Sequence, residues 1–300
     1  MNWSLDNYYL HLQFSSAGGA LSSIRDRDGN EYLWQGDVRY WSGQAPVLFP
    51  ICGSLRDNKA SFEDGGSADM PRHGIVRKKE FICDFSNEDT VQFSITSDDG
   101  MYRQYPYHFK LVITYHLAGN KITTRYTVIN EDEKEMPFFI GGHPGFRCPI
   151  LAGERFEDYQ IEFEKKEQIM TPEAVTETGL IRINDRRLLL DDSAVLPLSH
   201  ELFHKDALIL DRLFSRKVRL CHKNDKRGVE VEYRDFPYLI LWSAPNDGPF
   251  VAIEPWSGLS TCDDEDDIFE HNRNLMRVGA GEMRQLEFSI AVLPAAPIPV

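Results

Sequence analysis

Phe109-Lys110-Leu111-Val112-Ile113-Thr114-Tyr115-His116-Leu117, then Ala118-Gly119-Asn120, then Lys121-Ile122-Thr123-Thr124-Arg125-Tyr126-Thr127-Val128-Ile129 is the stretch that decides the fold. Apolar and polar residues alternate through both arms, which are rich in β-branched and aromatic side chains, as in half-buried strands. With Ala-Gly-Asn as the turn, the segment reads as an antiparallel hairpin. A period of two recurs at 91–96 and at 80–85, 160–163, 207–210, 217–221, 229–233, 238–242, 250–253 and 285–293. Turn clusters such as Asn87-Glu88-Asp89 and Pro245-Asn246-Asp247-Gly248 separate these runs. The one helical signal is a short turn at 199–204, before the strand at Ala207. Without long amphipathic helices, βαβ folds and helical bundles are poor fits. The expected fold class is all-β, a large antiparallel β-sandwich over residues 1–300 as one domain, with no repeat or dividing linker.

Composition narrows the function. Hydrophobic residues make up 42% of the 300 residues, enough for a large core without disulfide or metal staples. A formal charge of -14 argues against a nucleic-acid partner, because phosphate binding needs a basic surface. No apolar run approaches the roughly 20 residues of a membrane span. Cys52, Cys83, Cys148, Cys221 and Cys262 are odd in number and form no Cys-x-x-Cys pair. With an N-terminus that lacks a signal-peptide pattern, they read as thiols in a reducing cytoplasm. The acidic run Asp263-Asp264-Glu265-Asp266-Asp267 reads as a solvated loop, since the glycine and spacing of an EF-hand are absent.

Three residues in loop contexts carry the candidate chemistry. His73 lies in Met70-Pro71-Arg72-His73-Gly74, and His143 in Gly141-Gly142-His143-Pro144-Gly145-Phe146. Glu254 follows the apolar run Phe250-Val251-Ala252-Ile253 and precedes Pro255. Each stands at or just past the end of a strand-like run and next to Gly or Pro, the way a β scaffold presents a reactive side chain. Two imidazoles and a carboxylate suit acid and base chemistry near neutral pH. The plain alternatives are a surface turn for His73 and an ion pair with Arg77 or Arg273 for Glu254. Trp242, Trp256 and Phe250 suit stacking on a sugar ring, and equally suit a core. Metal-ligand spacing, a Gly-x-Ser-x-Gly elbow and nucleotide-binding loops are missing, and nothing in the sequence supplies Cys52 with a base. No metal and no cofactor are expected.

At these segments the chain resembles the aldose 1-epimerase (galactose mutarotase) family, in particular its LacX-like branch. Five motifs in the same order carry the resemblance: Phe49-Pro50-Ile51-Cys52-Gly53, Arg72-His73-Gly74-Ile75-Val76-Arg77, Gly142-His143-Pro144-Gly145-Phe146, Leu202-Phe203-His204-Lys205-Asp206-Ala207-Leu208-Ile209 and Glu254-Pro255-Trp256-Ser257-Gly258. The resemblance implies a β-supersandwich that acts on a monosaccharide, with Glu254 as general base and His143 as general acid. His73 and Asp206 would hold sugar hydroxyls, and Arg77 and Trp256 would complete the substrate-binding set. Neighbouring charge is expected to keep the Glu254 pKa low and raise that of His143. Two positions depart from the family pattern. Ser54 stands where many relatives have an arginine, and Gly145 replaces a larger residue, which suggests a more open wall. A hexose-6-phosphate mutarotase, drawing on Arg72, Arg77 and Arg147, and a sugar-binding protein without turnover are the alternative readings. Nothing in the sequence marks an obligate oligomer interface.

Overall fold

Strands Phe109–Ala118 and Lys121–Asn130 form the hairpin in the computed structural model, which describes residues 2–295. Phe109, Leu111, Ile113, Tyr115 and Leu117 are buried while the residues between them are partly or fully exposed, so the alternation reflects one face packed on a core. The hairpin sits inside a nine-stranded antiparallel sheet. Its order is Ile181–Pro197, Tyr159–Ala174, Lys217–His222, Gly228–Glu232, Met283–Leu293, Lys121–Asn130, Phe109–Ala118, Thr90–Thr96 and Ile82–Ser86.

A six-stranded sheet runs Leu208–Leu210, Tyr238–Trp242, Phe250–Trp256, Gly141–Gly142 and Val47–Leu48, with Gly145–Arg147 also paired to Phe250–Trp256. Asn2–Asp6, Leu10–Ser15 and Ala20–Asp26 make a three-stranded sheet. One continuous cluster of buried side chains joins the three, including Phe14, Phe93, Leu111, Tyr126, Leu239, Val251 and Ile253. The fold is therefore all-β and built on large antiparallel sheets, as expected. Among the described residues no helix is long and apolar enough to cross a membrane.

Several elements differ from expectation. Tyr159–Ala174 and Ile181–Pro197 form a hairpin with arms of 16 and 17 residues, of which only 160–163 was legible. Register shifts and the charged stretch Glu164-Lys165-Lys166-Glu167 interrupt its alternation, so the period-two signal fails there. The strands expected at 80–85 and 207–210 are Ile82–Ser86 and Leu208–Leu210. A four-residue helix, Asp99–Tyr102, was not anticipated; the Asp98 carboxylate caps it by accepting from the Met101 N–H. The helical turn near 200 is the 3-10 segment His200–Phe203.

The acidic run does more than face water. Glu265 accepts from the Cys262 N–H at 2.7 Å and pairs with Arg273 at 2.9 Å, while Asp267 pairs with Arg56 at 2.9 Å. Among the described residues no group of three or more His, Cys, Asp or Glu side chains is arranged to hold a metal ion.

Two of the family-like segments dock on each other through backbone. Phe49 and Gly74 form a parallel bridge, Ile75 N–H donates to Phe49 O at 2.8 Å, and His73 N–H donates to Gly53 O at 2.7 Å. Gly74 has φ +78°, and a Cβ there would fall 2.0 Å from the Phe49 carbonyl oxygen. Gly74→Ala is therefore expected to destabilise the protein by more than about 2 kcal/mol in urea unfolding, through strain and overlap together. Gly119→Ala serves as a control, because φ there is +59° with nothing within 4 Å, and its expected cost is about 1 kcal/mol.

Candidate functional site

The site is built on the central strand of the six-stranded sheet. Gly141 pairs with Trp256 and Gly145 pairs with Ala252, so the segment between them runs antiparallel alongside Phe250–Trp256. Carried through the interruption, that register sets residue 143 across from residue 254. The structure has His143 Nε2 3.3 Å from Glu254 Oε2. Alternation sends Glu254 and Trp256 to the same face, and Ile240 and Trp242 of the adjacent strand join them there. Glu254 lies within Phe250–Trp256 instead of just past its end. Pro255 does not stop the strand, because extended backbone accepts its fixed φ.

These side chains line a cavity of about 330 Å³. His73, Arg77, His143, Asp206, Glu254 and Trp256, all six residues singled out from sequence, face it. His73 comes from a turn with φ +67°, and its Nδ1 accepts from the Gly53 N–H at 3.2 Å. A neutral ring then carries its proton on Nε2. Asp206 has φ +143°, and its carboxylate accepts from the Ala207 N–H at 2.7 Å. Non-glycine residues at such angles are strained, and strain of this kind gathers at ligand sites.

Burial governs the charges. Desolvation raises the Glu254 pKa well above the usual carboxylate value, opposed first by the positive field of Arg72 and then by the Trp256 Nε1–H, which donates at 3.1 Å. Desolvation also lowers His143 to about 3 and takes His73 well below the usual imidazole value. The expected pattern, a low Glu254 and a raised His143, is therefore reversed. Each shift favours the uncharged form of its group. The expected alternative of an ion pair to Arg77 or Arg273 is not formed either. Arg273 pairs with Asp264 and Glu265, and Glu254 contacts His143 and Trp256.

Trp41, Arg72, Thr176, His204 and Lys205 also line the cavity. Sequence reasoning did not find Trp41, whose loop carries no periodic signal. Its ring stacks on His143 at 4.7 Å and 25°, while Trp242 meets His143 edge-on at 5.7 Å. Gly145 makes this possible, because a Cβ there would lie 2.9 Å from the Trp41 ring. The wall expected to be more open is thus filled by Trp41. Ser54 is buried and donates its N–H to Ser260 Oγ at 2.9 Å, and it is not a cavity residue. Arg147 lines a separate depression with Trp34 and Tyr40. Cys52 is buried, and burial pushes its thiol pKa far up, so a nucleophilic role has no support.

Comparison with known proteins agrees with this architecture. The Aldose 1-epimerase family profile matches residues 1–267. Protein LacX (chromosomal) of Lactococcus lactis subsp. lactis is 45% identical over 301 residues, covering 98% of this chain and 100% of the relative. A galactose mutarotase related enzyme from Lactobacillus acidophilus superposes with a TM-score of 0.91 at 27% identity, covering 100% of both chains. A galactose mutarotase-like protein from Lactobacillus casei gives 0.90 at 25% identity, over 98% of this chain and 100% of that one. With its sandwich of sheets and its cavity on a buried strand, the chain belongs to the aldose 1-epimerase family.

The buried pair predicts how stability responds to pH. A carboxyl whose folded pKa lies above its unfolded value of about 4.5 contributes stability that is complete below that value and lost as pH rises toward the folded pKa. The slope is about 1.4 kcal/mol per pH unit. Glu254→Gln should therefore be more stable than the native protein at pH 8, with the gain gone below pH of about 4. His143 acts in the opposite sense: its contribution is complete above 6.5 and lost as pH falls toward 3. Urea titrations of both proteins from pH 4 to 8 measure the difference.

Proposed function

We propose that the protein is a mutarotase, interconverting the α and β anomers of an aldose by proton transfer. The observation that carries this reading is the His143–Glu254 contact of 3.3 Å at a cavity walled by Trp41, Trp242 and Trp256. Aromatic faces suit the apolar side of a pyranose, while His73 and Asp206 offer hydrogen-bonding groups to its hydroxyls.

Ring opening needs one proton removed from the C1 hydroxyl and one delivered to the ring oxygen. A pair that holds a single proton between its two members supplies both functions. At rest that proton lies on Glu254; passing it to His143 gives a carboxylate beside an imidazolium. The positive charge of Arg72 favours the carboxylate. Glu254 then takes the C1 hydroxyl proton, and the O–H electron pair becomes the second C1–O bond. The C1–O5 bond breaks with its electrons on O5, which takes the His143 proton. Rotation about C1–C2 presents the other face of the aldehyde, and the steps reverse on closure. Microscopic reversibility lets the same two groups serve both directions.

Glu254→Gln and His143→Ala should each lower kcat by about 10²–10⁴-fold while the circular dichroism spectrum stays unchanged. Anomer exchange followed by polarimetry measures this, and full activity in either variant removes that residue from its role. The pH profile offers a separate check. The active pair carries one proton, so activity should persist through pH 6.5 and decline only as His143 is protonated nearer 3. The alkaline limb should follow loss of the shared proton from Glu254. A tenfold fall in kcat/KM between pH 7 and 5 would contradict the assignment.

A further inference from the structure

We propose that Trp41 is the positioning residue of His143: its indole face, in place of a hydrogen bond, holds the imidazole with Nε2 toward Glu254 and keeps water from the ring. This rests on the mutarotase reading above, in which His143 delivers a proton to the ring oxygen. A histidine that moves protons is ordinarily oriented through its second ring nitrogen, which bonds to a carboxylate or a carbonyl. His143 lacks that arrangement. Its Nε2 lies 3.3 Å from Glu254, while Nδ1 is buried and no other described residue offers it a hydrogen bond. Only the backbone of His143 itself acts on the ring in that way.

Stacked rings fix the plane instead. Trp34 lies on Phe250 at 4.8 Å and 28°, Phe250 on Trp41 at 5.6 Å and 27°, and Trp41 on His143 at 4.7 Å and 25°. This series of near-parallel rings starts on the strand that carries Glu254, where Phe250 and Glu254 share one face. Trp34, Ala244 and Phe250 form an apolar cluster apart from the main core, with Trp41 and Trp242 packed against it. Trp242 and His73 stand nearly perpendicular to His143 at 5.7 and 5.4 Å, which leaves the imidazole little room to turn.

The loop that carries Trp41 is tied to the segment it serves. Trp41 N–H donates to Asp37 O at 2.9 Å, and Trp34 Nε1–H donates to Trp41 O at 2.8 Å. Further along, His143 N–H donates to Pro46 O at 3.1 Å and Gly145 N–H to Gln44 O at 2.8 Å. A Cβ would lie 2.5 Å from the indole at Gly43 and 2.9 Å from it at Gly145, so the ring fits because both positions lack a side chain.

The cover also acts on charge. Trp41 and Trp242 bring none to His143; the titratable or charged groups around it are Glu254, His73, Arg72 and Arg77, with Asp206 on the same lining. Desolvation is the largest influence on His143 and lowers it to about 3. Removing the indole admits water and leaves those charges in place, so His143 should rise toward its ordinary 6.5.

The test compares the native protein with Trp41→Ala, Trp41→Phe and Gly145→Ala, each checked for folding by circular dichroism. Anomer exchange of glucose and galactose from pH 4 to 8 gives kcat and KM. NMR titration of the His143 Cε1–H, assigned with His143→Ala, gives its pKa without turnover. Trp41→Ala should lower kcat about 10- to 100-fold, the cost of a misplaced proton-transfer group, with KM little changed. Its acid limb should move up from near 3 toward 6.5, and the His143 resonance should titrate with it. Trp41→Phe keeps an aromatic face and should recover most of the kcat and the native acid limb. Gly145→Ala crowds the indole without removing it and should give a smaller change in the same direction; it carries the same readouts should Trp41→Ala not fold. A raised KM with native kcat makes Trp41 a platform for the sugar and overturns the proposal. So does a His143 pKa that stays put in the variants, or a Trp41→Phe no better than Trp41→Ala. Exchange of no sugar by the native protein overturns the mutarotase reading instead, and the NMR titration then decides by itself whether Trp41 governs His143.

Discussion

A carboxylate placed in a fully buried strand is the constraint on which the rest of this site depends. Phe250–Trp256 is buried at every residue, so Glu254 has little access to water. Ionisation there is costly unless partners compensate it. Burial shifts the carboxyl towards its protonated form, the Trp256 N–H donates to it and His143 lies against it. One buried strand therefore sets the protonation state of its neighbour as well. The same dryness that raises Glu254 lowers His143.

Small residues shape the walls around that pair. Gly145 admits the Trp41 ring, which covers one face of His143, and Trp242 closes its edge. Gly179 and Ser54 admit Arg72, and Gly74 lets the His73 turn bridge to Phe49. Strained backbone at His73 and Asp206 accompanies these contacts, with rigid sheet on either side to hold it. Substitutions that look permissive in sequence are, in space, room made for a side chain from elsewhere.

Charge is distributed unevenly between surface and cavity. The molecule is strongly acidic as a whole, yet Arg72, Arg77 and Lys205 line the cavity with no ion pair to another described residue. Net charge describes long-range interactions with other macromolecules, while a ligand responds to the groups within a few ångströms. The acidity that argues against nucleic acid therefore says nothing about which small ligand the cavity takes.

Much of this was legible without coordinates. The 109–129 hairpin declared itself because alternation over ten-residue arms directly reflects one-sided burial. His73, Arg77, His143, Asp206, Glu254 and Trp256 were found because Gly, Pro and aromatic neighbours mark tight presentation, and because their motifs are shared with a known family. The long 159–197 hairpin was largely missed because bulges and charge break the period. Trp41 was missed because stacking between residues a hundred positions apart leaves no local pattern. The sequence by itself determined the sheet class and which side chains were available for chemistry, since both are written in local order. Only the tertiary structure decided the direction in which the His143 and Glu254 pKa values move and the filling of the wall at Gly145, because desolvation and packing depend on what the folded chain places around each group.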